Sequence, residues 1–150
     1  MAIEFYKEFG PLGYLATYSN HGFYKDGVFW KTSEHYYQAQ KFKNKEVQKL
    51  IINAPTPKLA SEIGRDRRYK IRDDWDEIKQ DIMFEAVLFK FQANHDILFK
   101  LLETGDEEII EKTEKENYWG CGPLKDGQNN YGKILAKVRN VLKKNQNLED

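Results

Sequence analysis

Apolar residues recur with a helical period over most of the chain. Between Tyr131 and Lys144, the residues Ile134, Leu135, Val138, Val141 and Leu142 fall on one side of a helix, and Lys133, Lys137, Lys143 and Lys144 fall on the other. The longest periodic stretch, residues 74–91, places Trp75, Ile78, Ile82, Ala86 and Phe89 on one face, and residues 96–102 continue the signal until Gly105. Three shorter helices are predicted upstream. The first spans 33–44, capped by Thr32 or Ser33 with Glu34 in its first turn; the second spans about 45–53 and stops before Pro55. The third opens after Thr56, with Pro57 at its first position, and stops near Gly64. The region before Trp30 is different in kind, being rich in aromatics and broken by Gly10, Pro11, Gly13 and Gly22. Its Asp26-Gly27 pair predicts a hairpin turn between short strands near Phe23 and Tyr24 and over Val28–Trp30. Residues 1–150 read as one domain, because nothing repeats and no linker is long enough to divide them.

Composition narrows the class of protein. The 24 Lys+Arg against 24 Asp+Glu give zero net charge, which argues against a polycationic nucleic-acid coat or membrane-surface protein. No apolar run reaches the ~20 residues of a membrane helix. Charges in residues 1–10 stand where a signal peptide would be apolar, so a cytoplasmic protein with no membrane partner is expected. A single cysteine, Cys121, excludes an internal disulfide, and His21, His35 and His95 are too scattered for metal-ligand spacing.

The most unusual stretch runs Trp30-Lys31-Thr32-Ser33-Glu34-His35-Tyr36-Tyr37-Gln38-Ala39-Gln40-Lys41-Phe42. On a helix, Glu34, Gln38 and Lys41 share one face with Tyr37 beside them, so an acid and an amine could both reach one ligand. The bland alternative is a solvated helix face, and His35 reads as a packed, hydrogen-bonded histidine. Gly64-Arg65-Asp66-Arg67-Arg68 gathers three guanidinium groups, suited to phosphate or carboxylate or simply to a surface turn. Glu116-Asn117-Tyr118-Trp119-Gly120-Cys121-Gly122 sets an acid and a large aromatic against two glycines, as a stacking platform for a base or as a core Trp beside a turn. Asn129-Asn130-Tyr131-Gly132 leads into the last helix, where its amides could read a ligand or cap the helix. The acids between Glu103 and Glu116 read as a solvated face, and Cys121 has no adjacent base.

In this order the motifs resemble the NADAR family, which includes YbiA-like N-glycosidases. The run TSEHYYQAQKF, from Thr32 to Phe42, is similar to the family signature. Around it, His21-Gly22-Phe23, Asp26-Gly27, Ala54-Pro55-Thr56-Pro57, Gly64-Arg65, Trp75, Lys90-Phe91, Tyr118-Trp119-Gly120, Asn129 with Gly132, and Val138-Arg139 match in place. Three positions depart from the usual pattern and bear on substrate choice. Ala16-Thr17 replaces Ser-Asn, Lys31 replaces Pro, and Glu116 stands where many members have Asp.

The resemblance implies a compact, predominantly helical α+β domain that cleaves an N-glycosidic bond between ribose and a nitrogenous base. Two substrate classes go with the family: ADP-ribose attached to guanine, in nucleotides or single-stranded nucleic acid, and phosphoribosylamino-pyrimidine intermediates of riboflavin synthesis. A third reading, of another class, is a non-catalytic module that binds ADP-ribose or a nucleotide. As carried over, Glu34 would stabilise an oxocarbenium-like state or activate water. Lys41 would attack C1′ or position the ligand, with Lys25 or Lys31 as substitutes in the nucleophile role. Arg65 would bind phosphate, Trp75 and Trp119 would flank base or ribose, and Glu116 with Asn129 would orient hydroxyls. No cofactor or metal is implied. An ADP-ribosyltransferase toxin is the genomic partner such a protein would have, and the sequence leaves the oligomeric state open.

Overall fold

The computed structural model describes residues 2–149. The fold is α+β, with two compact units: Thr17–Ala93, and a second formed from residues on both sides of it, up to Ala16 and from Asn94 onward.

In the first unit, strands β2 (Phe23–Lys25) and β3 (Val28–Trp30) pair antiparallel, with Phe23 opposite Trp30 and Tyr24 opposite Phe29. Asp26 and Gly27 both adopt positive φ, 53° and 79°, the backbone of the two-residue turn whose twist matches the strands it joins. Alternation then sends Phe23 and Trp30 into the core, while Tyr24 and Phe29 meet outside at 5.0 Å. Helix α1 (Ser33–Ala39) follows, capped by the Thr32 hydroxyl, which accepts the His35 N–H. Helix α2 (Lys45–Ile52) is capped by Asn44, and α3 (Pro57–Gly64) follows Thr56 with Pro57 at its start, the latter as expected from sequence. Helix α4 (Trp75–Ala93) closes the unit. Phe23, Trp30, Tyr36, Phe42 and Ile51 form the centre of its core.

Two expectations change here. Helix α1 ends at Ala39 rather than residue 44: the Lys41 and Phe42 amides bond to the carbonyls of Gln38 and Ala39 three residues back, tightening the last turn. Phe42 then turns into the core, and Asn44 leaves the helix to cap α2. Lys41 therefore sits in the turn after α1, its carbonyl accepting the Arg72 N–H at 2.8 Å. The face predicted for α4 is too narrow, because Met83, Val87, Lys90 and Phe91 are buried along with Trp75 and Ala86. Lys90 is wholly buried, and burial pushes its ammonium down to about pH 7.

In the second unit, β1 (Ala2–Phe5) and β4 (Glu108–Glu111) pair in parallel, from Ala2 opposite Glu108 to Phe5 opposite Glu111. A 3-10 turn (Gly13–Leu15), α5 (His95–Glu103) and α6 (Asn130–Glu149) complete the unit. The acidic segment read as a solvated face thus contains a strand, whose Ile109 is buried. Asn129, at φ 52°, extends that strand's pairing with its side chain. Its Oδ1 accepts the Glu111 N–H at 2.9 Å, and its Nδ2 donates to the Ile109 carbonyl at 2.9 Å. Replacing Asn129 with Ala strands a backbone donor and acceptor, so unfolding in urea should show a loss of about 2–4 kcal/mol. A loss below about 0.5 kcal/mol, the size of an ordinary surface substitution, would show that these bonds carry no weight.

Candidate active site

Glu34 enters the first turn of α1 as an acid, yet it is only 7 % exposed, and Gln38 one turn later only 5 %. The polar stripe is therefore buried, not a solvated face. Two donors hold the Glu34 carboxylate: the Thr17 hydroxyl at 2.7 Å from Oε1 and the Gln38 Nε2 at 2.6 Å from Oε2. The Thr17 carbonyl also accepts the Glu34 N–H and the Ser33 hydroxyl, each at 3.2 Å. The start of α1 is thereby tied to the segment before the hairpin. A buried carboxylate with a charge-assisted bond on each oxygen has a fixed plane, which suits an anion that must face one atom of a ligand.

Lys41 is half-buried, and its Nζ lies 3.4 Å from the Gly64 carbonyl at the end of α3. Burial pushes its amine below the usual lysine range; Glu34 opposes this, while the positive charges of Arg65 and Lys79 push the same way. More of it is neutral at a given pH than of a surface lysine, as nucleophilic use requires. Arg65 caps α3 and donates from Nη1 to the Ser61 hydroxyl at 2.8 Å, leaving an exposed guanidinium with further donors. Trp75 is buried against Tyr37 of α1, with ring centroids 5.1 Å apart. His35 is structural: its Nε2 donates to the Ala54 carbonyl at 2.9 Å, which leaves Nδ1 to accept from Thr32. Burial lowers its basicity.

Glu34, Lys41, Arg65 and Trp75 thus belong to the first unit, and electrostatics links the first three directly. Glu116, Trp119 and Asn129 belong to the second. The Glu116 carboxylate accepts the N–H groups of Tyr118, Trp119 and Gly120 at 2.9, 2.6 and 2.9 Å, shaping the loop that carries Trp119. Trp119 is partly exposed and meets Tyr118 edge-on at 4.9 Å, so it is not a core tryptophan. Asn129 is engaged with β4 as described. Among the described residues no group of His, Cys, Asp and Glu could hold a metal ion, and no helix is long and apolar enough to cross a membrane.

Sequence reasoning placed Gln38 on the stripe but gave it no role, and it treated Thr17 only as a departure from the family pattern. The four-residue spacing of Glu34 and Gln38 carried the signal for the first, since side chains so spaced meet on a helix. Nothing local could have paired Thr17 with Glu34, 17 residues on.

Known proteins match nearly the whole of this chain. The family model of the NADAR domain matches residues 4–143. The N-glycosidase Npun_R5314 of Nostoc punctiforme is 44 % identical over 146 residues, covering 95 % of this chain and 94 % of that protein. N-glycosidase YbiA of Escherichia coli is 34 % identical over 140 residues, covering 93 % and 88 %. The riboflavin biosynthesis protein VVA0006 of Vibrio vulnificus is 36 % identical over 140 residues, which are 93 % of this chain but 38 % of that protein. The NMR structure of the E. coli protein YbiA superposes with a TM-score of 0.89 at 32 % identity, covering 97 % of this chain and 86 % of that one. With a signature matched from the hairpin to the last helix and a shared fold, the chain belongs to the NADAR family.

Proposed function

We propose that this protein is an N-glycosidase that releases ADP-ribose from guanine, with Glu34 as the anion facing the reacting sugar and Lys41 as the nucleophile. The chain is a hydrolase of N-glycosyl bonds, as the names of relatives matched along nearly their whole length support. The observation that carries the mechanism is the carboxylate held by Thr17 and Gln38 beside an amine of lowered basicity. A module that only bound nucleotides would need neither.

Rupture of the C1′–N bond builds positive charge on C1′ and the ring oxygen, and a fixed carboxylate stabilises it without reorganising. The neutral Lys41 amine then bonds to C1′ as the glycosidic bond breaks; the base leaves with the bonding pair and takes a proton. Ring opening of the resulting glycosylamine gives an imine, and water hydrolyses it to the free sugar and the amine. Residues 41–72 hold ten Lys and Arg against three Asp and Glu, a local charge of +7 within a neutral chain. That concentration around Lys41 and Arg65 favours a substrate carrying phosphates. The name of the Vibrio relative favours a second reading, a phosphoribosylamino-pyrimidine intermediate of riboflavin synthesis.

Incubation with ADP-ribosylated guanosine and, separately, the riboflavin intermediate decides between the substrates by the rate of sugar release. Borohydride added during turnover should reduce the imine and leave a sugar-bearing fragment on Lys41. Lys41→Ala should abolish both adduct and turnover, and Lys41→Arg, which keeps the charge, should not restore them. An active Lys41→Arg enzyme and no adduct on the wild type would overturn the nucleophilic role.

A further inference from the structure

The Gln38 amide is placed at a cost. Its Nε2 donates to Glu34, but its Oε1 is buried with no hydrogen-bond partner. Turning the amide over would set that oxygen against the Glu34 carboxylate, so the carboxylate fixes the orientation. The orphaned oxygen instead presses on Gly64 in the last turn of α3. A Cβ at position 64 would lie 1.9 Å from Gln38 Oε1 and 2.7 Å from its Cδ. Gly64 is not in the left-handed region, so its backbone does not require glycine, and in a helix glycine is less favourable than alanine. The space taken by the Gln38 amide is what the glycine supplies. Two locally unfavourable choices, on different helices, thus serve one hydrogen bond to the proposed anion.

We propose that Gln38 is a positioning residue for Glu34 and that Gly64, through Gln38, sets the orientation of the Glu34 carboxylate. The chain of contact runs from α3 through the Gln38 amide to Glu34 Oε2, and Thr17 holds the other oxygen. Any side chain at position 64 expels the amide, and the carboxylate loses one of its two donors. The inference rests on the reading of Glu34 as the anion of an N-glycosidase, but the contact itself can be read without substrate.

The test uses Gly64→Ala, Gln38→Ala, their combination and Gln38→Met. In the protein without ligand, the Gln38 side-chain amide signal in a 15N correlation spectrum, assigned by its loss in Gln38→Ala, should move toward free glutamine in Gly64→Ala. In turnover of the ribosyl substrate that the wild type cleaves, Gly64→Ala and Gln38→Ala should each lower kcat by about 10- to 100-fold with little change in KM, the size expected for a misplaced catalytic group. The double variant should be no slower than Gln38→Ala, because removing the amide makes room for the new methyl. Gln38→Met fills the space without a donor, so kcat should fall while Tm holds, and it reads the role of Gln38 even if Gly64→Ala alone does not fold. An unmoved Gln38 signal, additive losses in the double variant, or a fully active Gln38→Met would each overturn the proposal. A wild type that cleaves neither substrate would overturn the proposed function instead, and the amide signal would then decide this inference alone.

Discussion

Glu34→Gln should fold almost as the wild type does and turn over its substrate about 30- to 1000-fold more slowly, a loss of about 2–4 kcal/mol of transition-state stabilisation. The substitution is nearly isosteric, and the network around it can adapt. A glutamine oxygen can keep the Gln38 Nε2 bond, and the Thr17 hydroxyl can rotate from donor to acceptor toward the new amide nitrogen. What is lost is the negative charge, which matters most when positive charge develops on the sugar. The check is kcat at saturating substrate beside thermal unfolding of the same preparation. Half the wild-type rate in a folded variant would remove Glu34 from the mechanism.

The largest effect on stability is expected from Lys90. Its folded pKa, about 7, lies well below the 10.5 of an ordinary lysine. Between those values the unfolded chain holds a proton that the folded chain does not, so stability rises as pH rises through this window. The slope is about 1.4 kcal/mol per pH unit, or on the order of 4–5 kcal/mol across the window. Below about pH 7 both states are protonated and the penalty is present in full; above the unfolded value it is gone. Lys90→Met should flatten the difference, visible as urea unfolding free energies measured from pH 7 to 9 for both proteins. Parallel slopes would show that Lys90 keeps its proton on folding.

The hairpin and the three shorter helices were legible because their signals are local. Asp26-Gly27 specifies the turn, and Thr56 and Pro57 mark where a helix begins, whereas Asn44, read from sequence as the end of the first helix, caps the second. The parallel pairing of Ala2–Phe5 with Glu108–Glu111 was not, since it is made by backbone groups far apart in sequence and only Phe5 and Ile109 are deeply buried. The role of Asn129 in the strand was hidden for a related reason: before a helix an asparagine reads as a ligand contact or a cap, and its bonds to Ile109 and Glu111 depend on a strand about 20 residues earlier. At the candidate site, the helical spacing that brings Gln38 to Glu34 was legible. The burial of Glu34 was not, because polar residues at helical spacing look solvated until their partners, one of them Thr17, are known.

The division of the chain has a consequence for the order in which it is made. Thr17–Ala93 is continuous in sequence, whereas the strand Ala2–Phe5 finds its partner only once Glu111 has been synthesised. At about 5–20 residues per second, the earliest strand waits roughly 5–20 s on the ribosome. By then every residue that holds the Glu34 carboxylate has been available for some time. The hydrogen bonds from Thr17 and Gln38 can therefore close on the nascent chain while the first-made strand is still unpaired, and substitutions in Ala2–Phe5 should act on the yield of folded protein before they act on its chemistry.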